Sequence, residues 1–370
     1  MLEFRPPFSI GMDASLVIGQ PSFTEKTPAT TQSGLRGGTD FEGTVELGFD
    51  SSGNLWVGDR GNNRVLEFMP PFSTGMSASV VVGQENFTTG ISRFSRDGLN
   101  APGEVAFDRV GNLWVLDQNN NRVLEFEPPF TNGMNASMVI GQVDFKTFAY
   151  STTQSGLGSG SFGDLAIDHS GNLWVGDTGN SRVLEFIPPF SDGMDASLVI
   201  GQTSFVTRIS SLTESGLGGG LLALGVAFDP AGNLWVGDCK FNRILEFQPP
   251  FSTGMSASVV IGQQSFRTST ASTTQNGLVC PYHLGFDKSG NLWVPDVANN
   301  RVLEFSSSGS SVTSTPASST TQTQSSQASA TATTNDQGFG QLQYAAVGAV
   351  AVVVVVGLVA VFLRRRMKHE

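Results

Sequence analysis

The chain repeats a unit of roughly 60 residues, and this internal period constrains its fold more than any other feature of the sequence. The string GNLWV begins at Gly53, Gly111, Gly171, Gly232 and Gly290. The string LEF begins at Leu2, Leu66, Leu124, Leu184, Leu245 and Leu303. A repeat of this length buries its apolar faces against its neighbours, so the copies are expected to stack on one another.

Within each unit the residue pattern predicts four short strands. The first is the half-buried string VELGFD from Val45, and the second is NLWV, which is rich in β-forming residues. RVLEF is the third strand and ends at Pro-Pro, because proline cannot donate to a β-ladder. SVVVGQ is the fourth strand. Four antiparallel strands per repeat, arrayed radially, predict an all-β propeller.

Tryptophan lies in every copy of the second strand. Strand alternation puts Leu and Val of NLWV on one face of the blade and Trp on the other, so both faces must be packed. We therefore predict core positions for Trp56, Trp114, Trp174, Trp235 and Trp293. The alternative is a ring of aromatic side chains that stacks on a ligand.

The repeat also resembles a known family. Gly-Asn-Leu-Trp-Val-Gly-Asp, followed by Asn-Arg-Val-Leu-Glu-Phe, is similar to the NHL repeat over residues 1 to about 305, although these units are longer. The resemblance implies a propeller related to the streptogramin lyases and the peptide-amidating lyase domains. It leaves function open, because such folds host binding modules and enzymes alike.

The number of blades has two solutions. The chain starts inside a repeat, so a five-bladed ring could close if Leu16 to Gly19 supplied the fourth strand of the last blade. Alternatively, the protein has six blades, and its upstream strands and signal peptide precede Met1. The absence of a charged-then-apolar leader and the start in mid-strand favour the second solution.

A membrane anchor is predicted after the propeller. Ala345 to Leu363 is a run of nineteen residues without a charge, which is about the length that a bilayer core requires of a helix. The basic residues that follow place the C-terminus in the cytoplasm and the propeller outside. We therefore divide the chain into a propeller (1–305), a disordered Ser/Thr-rich stalk (306–343), a transmembrane helix (344–363) and a basic tail (364–370).

The surface with the long inter-blade loops is the predicted binding surface, because the repeats differ most from one another there. We call it the loop face; it also carries the turns between the second and third strands. Its candidate ligand-binding residues are Arg36, Asp40, Arg93, Arg96, Tyr150, Arg208, Tyr282 and His283. The net charge of −11 argues against nucleic acid as a ligand, because phosphate binding needs clustered Lys and Arg.

One aspartate per repeat ends the second strand: Asp59, Asp117, Asp177, Asp238 and Asp296. Five carboxylates could bind calcium, but a residue that recurs in every repeat usually maintains the fold. We favour the interpretation that each aspartate accepts bonds from the amides of its own turn. The arginines that begin the third strands are expected to pair with a carboxylate or with carbonyls between blades. They are Arg64, Arg122, Arg182, Arg243 and Arg301.

Two further features concern an exported domain. Cys239 and Cys280 lie on the loop face of neighbouring blades, so either a disulfide or two free thiols can be expected, and an oxidising exterior favours the disulfide. Asn86 and Asn135 begin glycosylation sequons.

Catalytic signatures are scarce. The lyases that the repeats resemble use histidine as a base or zinc ligand, whereas this chain has His169, His283 and His369, of which one lies on the loop face. We therefore predict no catalytic residues, and a surface recognition or adhesion module that binds a protein, peptide or glycan. The alternatives are a lyase or hydrolase with a metal in the propeller channel, and a structural component of the cell envelope.

Overall fold

The computed structural model describes residues 1–306, except residues 8, 10, 38–45, 159–162 and 221. The predicted stalk beyond Ser306, the transmembrane segment, the tail and Asp40 lie outside these residues. Among the described residues, no helix has the length and apolar character needed to span a bilayer. The described part is an all-β propeller of five blades.

Four blades have four antiparallel strands each, and every strand pairs with the next one along the chain. Blade 1 consists of β3 (Glu46–Phe49), β4 (Leu55–Asp59), β5 (Arg64–Phe68) and β6 (Val80–Val82). Blade 2 consists of β7 (Pro102–Phe107), β8 (Leu113–Asp117), β9 (Arg122–Phe126) and β10 (Met138–Ile140). Blade 3 consists of β11 (Leu165–Ile167), β12 (Leu173–Asp177), β13 (Arg182–Phe186) and β14 (Leu198–Ile200).

The remaining strands complete the propeller. Blade 4 consists of β15 (Leu224–Phe228), β16 (Leu234–Asp238), β17 (Arg243–Phe247) and β18 (Val259–Ile261). Blade 5 has three strands among the described residues: β19 (Gly285–Phe286), β20 (Leu292–Asp296) and β21 (Arg301–Phe305). Two strands precede blade 1, β1 (Leu2–Glu3) and β2 (Leu16–Val17), and they pair with each other.

A short 3-10 turn joins the second and third strands of each blade. The five turns are Arg60–Asn62, Gln118–Asn120, Thr178–Asn180, Cys239–Phe241 and Val297–Asn299. The residue after each turn has the positive φ that the Asn-rich sequence predicts, for example 53° at Asn63. This conformation reverses the chain so that the Asp before the turn lies opposite the Arg after it.

That Asp and Arg form an ion pair in every blade, and the pair is buried in blades 1 to 4. In blade 3 the Arg182 Nε donates to Asp177 Oδ2 at 2.7 Å, and its Nη2 donates to the Thr153 and Gly156 carbonyls of the preceding long loop. The Gly158 amide of the same loop donates to the other carboxylate oxygen. Burial raises the pKa of Asp177 against the opposing influence of the arginine. The predicted arginine role is thus seen in full, with a carboxylate and with loop carbonyls.

The aspartates differ in detail from the favoured interpretation. Asp177 accepts bonds from the Asn180 side chain, from Arg182 and from a loop amide, and its side chain makes no capping bond to the amides of its own turn. A turn of only three residues brings the arginine guanidinium, a stronger donor than an amide, directly onto the carboxylate. All five aspartates are paired with arginine in this way.

The blades stack through the tryptophans of their second strands. Trp56, Trp114 and Trp174 are fully buried, and each contacts the Phe of the Pro-Pro-Phe segment in the next blade at 4.7–5.0 Å between ring centroids. The core prediction is wrong for Trp293, which is 42% exposed. No Pro-Pro-Phe segment follows blade 5 among the described residues to cover this ring.

The N-terminal strands correct one prediction. The Val17 carbonyl accepts a bond from the Gly75 amide of blade 1, as the Val81 carbonyl accepts one from Gly133 of blade 2. Strands β1 and β2 therefore take the third- and fourth-strand positions of a blade that precedes blade 1. The hypothesis that Leu16 to Gly19 completes the last blade is wrong for the described residues, where β21 pairs with β20 alone. Pairing with β1 closes a much shorter loop.

We expect Arg182→Ala to lower the free energy of unfolding by about 3–5 kcal/mol, because it leaves the Asp177 carboxylate buried without its partner. The matched control is Arg267→Ala, which removes an exposed pair with Glu214 and should cost less than about 1 kcal/mol. Urea denaturation of both variants measures the difference. Similar losses in the two variants would contradict the assigned role of the buried pair.

Candidate functional site in the central channel

The first strands of the blades line the central channel. Each first strand pairs with the second strand on one side, and its other edge faces the propeller axis. Neighbouring first strands contact one another, β3 with β7, β7 with β11, and β11 with β15. The chain enters each first strand from a long inter-blade loop, so the beginning of these strands marks the loop-face end of the channel.

One position at or near the beginning of the first strand carries the polar residues of the channel. It lies three residues before the Phe or Ile that precedes the turn aspartate, and it holds Glu46, Glu104, Asp164, Gly225 and His283 in blades 1 to 5. We call these residues the channel ring. Its flanking positions are mostly apolar, as in the strings ELGF and HLGF.

The His283 imidazole lies among the three carboxylates of the channel ring. Its Nε2 is 2.9 Å from Glu46 Oε1. Its Nδ1 is 3.6 Å from both Glu104 Oε2 and Asp164 Oδ2. The four side chains are 5–22% exposed, so the charges face each other in a site that is largely shielded from water.

Gly225 of blade 4 makes room for the histidine. A Cβ atom at Gly225 would lie 2.6 Å from the His283 backbone nitrogen, so a larger residue would displace that backbone. The Val226 amide beside it donates to Asp164 Oδ2 at 3.1 Å and holds this carboxylate in place. Blade 4 thus contributes space and a backbone donor to the ring instead of a charge.

Proton binding at this site is strongly perturbed. Burial, together with the Asp164 charge, raises the pKa of Glu104 well above its ordinary value. Burial opposes the charge on His283, but its hydrogen bonds and charge interactions with Asp164 and Glu46 raise its pKa well above the ordinary value. The site therefore favours the protonated forms of His283 and Glu104 more than water does.

A cavity of about 790 Å³ adjoins the channel ring. Its walls include the ring carboxylates and His283 together with apolar groups such as Phe228, Tyr282 and Trp293. Tyr282 is nearly buried, and its ring centroid lies 4.1 Å from that of His283. A few convergent polar groups beside apolar walls are typical of a site for a small ligand or a peptide side chain.

The disulfide bond between Cys239 and Cys280 holds the loop that carries the histidine. Cys239 lies in the 3-10 turn of blade 4, and Cys280 lies in the loop that leads to β19. The bond therefore ties Tyr282 and His283 to blade 4 next to the channel.

The other candidate ligand-binding residues do not converge on one site. Arg96 contacts the Phe145 ring and donates to the Ala136 carbonyl, so it joins neighbouring segments of the fold. Arg93 pairs with Glu85 at 3.2 Å, and Arg36, Tyr150 and Arg208 are exposed on separate loops. Of the predicted set, the described structure brings together Tyr282 and His283. The sequon residues Asn86 and Asn135 are exposed.

Glu46, Glu104 and Asp164 were missed as site residues by the sequence analysis, although a signal was present. The position before the string Leu/Val-Gly/Ala-Phe/Ile-Asp is charged or His in four of five repeats, whereas the rest of that strand is apolar. A polar residue retained at one position of the innermost strand indicates a side chain that faces the channel.

Comparisons with known proteins give distant likenesses. No family model and no curated protein matches the chain, so the resemblance to NHL repeats remains a prediction. A virginiamycin B lyase from Staphylococcus aureus, solved with quinupristin, is 13% identical over 72% of this chain and 71% of the lyase, with a TM-score of 0.40. An auxiliary nutrient binding protein from Bacteroides ovatus is 11% identical over 70% of this chain and 58% of that protein, with a TM-score of 0.45.

A third likeness is to the extracellular domain of a protein described as a one-component system of B. thetaiotaomicron. It is 18% identical over 70% of this chain and 30% of that chain, with a TM-score of 0.40. All three TM-scores are below 0.5. The fold of the chain therefore rests on its own strand pairing, and its function on the geometry of the channel.

We expect Glu104→Gln to gain stability relative to the unchanged chain as the pH rises above about 4.5. With a raised pKa, the folded chain holds the Glu104 proton more tightly than the unfolded chain, so the stability of the unchanged protein falls as this proton is lost. Glutamine resembles the protonated acid and cannot ionise. Urea denaturation between pH 4 and 8 measures the difference, with the surface variant Glu214→Gln as control. A difference that does not vary with pH would contradict the assignment.

Proposed function

We propose that this chain is a ligand-binding module displayed outside the cell, and that its ligand enters the loop-face mouth of the central channel. The observation that carries the proposal is the channel ring itself. Three carboxylates, one from each of blades 1 to 3, lie within 3.6 Å of the His283 imidazole of blade 5. The large cavity lies beside them. Repeats that differ at one inward-facing position build a specific site from an otherwise regular frame.

The charge of the ring indicates what part of a ligand it would hold. Glu46, Glu104 and Asp164 can together carry three negative charges, which one imidazolium does not balance. A cationic group of a ligand, such as a lysine or arginine side chain or an amino sugar, would complete this balance and favour the ionised form of Glu104. The apolar walls of Phe228 and Trp293 would contact the uncharged part of the same ligand.

Display at the surface is the second element of the proposal. Ala345 to Leu363 would anchor the chain in the membrane, and the Ser/Thr-rich stalk would raise the propeller above it. The disulfide between Cys239 and Cys280 supports an oxidising environment for the propeller. With this orientation the loop face meets peptides, proteins or glycans outside the cell.

We expect the full-length chain to bind cationic probes on arrays of peptides and amino-sugar glycans, and Glu46→Gln to weaken this binding about tenfold, or 1.4 kcal/mol. Salt should weaken it as well, because the attraction is electrostatic. The matched control is Arg208→Ala, an exposed loop-face change away from the described ring. Absence of binding to any probe, or equal binding by Glu46→Gln, would contradict the proposal.

A metal-dependent lyase or hydrolase is the second candidate, favoured by one specific observation. Potential ligand atoms of Glu46, Glu104 and His283 lie within 4.8 Å of one another, a spacing that one ion could bridge. Carboxylate oxygens and an imidazole nitrogen are suitable ligands for a divalent cation. A bound ion would supply Lewis-acid activation of a substrate or of water, with Asp164 beside it as an acceptor for a proton.

If this candidate is correct, the purified chain should contain about one divalent ion, and a chelator should lower its melting temperature. His283→Gln should lose the ion, whereas His169→Gln, in a turn on the opposite face, should retain it. Elemental analysis and thermal melting measure both effects. A chain free of metal, with a melting temperature that chelator does not change, would leave the binding module alone.

A further inference from the structure

The outer edge of β21 in blade 5 differs from the corresponding edge in every other blade. β21 has the sequence RVLEF, like the third strands of blades 1, 2 and 3, and it pairs with β20 along its whole length. In blades 1 to 4 the third strand has a fourth strand on its outer side. Among the described residues, no strand occupies that position beside β21.

The fourth strands of blades 1 to 4 show which kind of segment binds along the outer edge of a third strand. Each is preceded by a serine and followed by Gly-Gln, in the segments Ser79–Gln84, Ser137–Gln142, Ser197–Gln202 and Ser258–Gln263. The three residues between them are apolar and form the ladder with the third strand. The glycine has a φ of 86° to 91°, which disfavours any other residue.

Two polar anchors fix these segments in the same register. The serine amide donates to the backbone carbonyl of the third-strand glutamate at 2.8 Å, and the serine hydroxyl donates to its carboxylate at 2.5–2.8 Å. The glutamine side chain donates to the carbonyl of the residue after the 3-10 turn at 2.8–2.9 Å. The two anchors are thus a serine at the start of the segment and a glutamine at its end.

Blade 5 has the receiving groups of this arrangement. Glu304 stands where the serine-binding glutamates stand, and Asn300 follows the 3-10 turn with the same left-handed backbone, at φ 54°. The Arg301 side chain is 28% exposed, whereas the arginines of blades 1 to 4 are fully buried. Val302 is 61% exposed, whereas Val65, Val123, Val183 and Ile244 are 0% exposed.

We propose that the outer edge of β21 binds an extended segment of a partner polypeptide, added to blade 5 as its fourth strand. The segment has the sequence class Ser, three apolar residues, Gly and Gln, because segments of this class occupy the equivalent edge in blades 1 to 4. Strand addition to an exposed edge supplies affinity through main-chain bonds and specificity through side-chain anchors.

The segments of this class in the chain are already engaged. Ser15–Gln20 has the right sequence, but its strand β2 pairs with β1 and bonds to blade 1. Residues 307–344 contain no serine followed by three aliphatic residues and Gly-Gln. We assign the occupant to a separate polypeptide. Val302 at this edge also lines the cavity beside the channel ring, so hydrogen-exchange protection across Arg301–Phe305 is the readout that separates strand addition from a ligand in the channel.

The test uses a labelled synthetic peptide with the sequence of Ser258–Thr270, which occupies the equivalent position in blade 4. We expect one peptide to bind per full-length chain in mild detergent, with new protection from hydrogen exchange across Arg301–Phe305. A peptide with Ser258 and Gln263 replaced by Ala should bind about tenfold more weakly, a loss of 1.4 kcal/mol.

Two variants of the chain locate the binding. Val302→Asp should reduce peptide binding about tenfold, since it places a charge beside the aliphatic ladder, whereas Val110→Asp on an exposed opposite-face turn should leave it unchanged. No binding at millimolar peptide, or equal binding by Val302→Asp, would overturn the proposal. Protection of β21 in the chain alone would also overturn it, because the edge would then be occupied by the chain itself or by a second copy.

Discussion

The buried pair between the aspartate that ends each second strand and the arginine that begins the third is the interaction on which the remaining structure depends. It closes the 3-10 turn, and it also binds the carbonyls and an amide of the preceding long loop. Desolvating two charges is costly, so the pair depends on the additional hydrogen bonds from the loop. Each long loop is therefore anchored to its blade by the pair, and the channel-ring position of each repeat lies at a fixed height in the channel.

This fixed height explains how a regular repeat can hold an irregular site. The loops deliver the channel-ring position of each repeat to the same level, so one sequence position becomes a ring around the axis. Substitution at that position alone changes the chemistry of the channel without altering the frame. Glu46, Glu104, Asp164 and His283 supply the charges, and Gly225 supplies the space that lets the histidine backbone approach.

Stacking buries the interior blades of the described chain but leaves the last blade partly exposed. Each blade covers the tryptophan of the blade before it, so the interior blades are buried on both faces. Blade 5 has no such cover among the described residues, which leaves Trp293 and Val302 exposed and the edge of β21 without a neighbouring strand. Because the repeats are so similar in sequence, the fourth strands of blades 1 to 4 indicate which segment the edge of β21 can bind.

Sequence alone determined the strands, the turns and the propeller, because a period of roughly 60 residues with alternating apolar positions has few other ways to bury its surface. It also identified His283, the arginine partners and the cysteines. It did not determine that β2 pairs with β1, since identical strands offer equivalent partners and loop closure chooses between them. Nor did it determine the channel ring. Glu46 and His283 are separated by most of the propeller sequence, and only closure of the blades around one axis places them 2.9 Å apart.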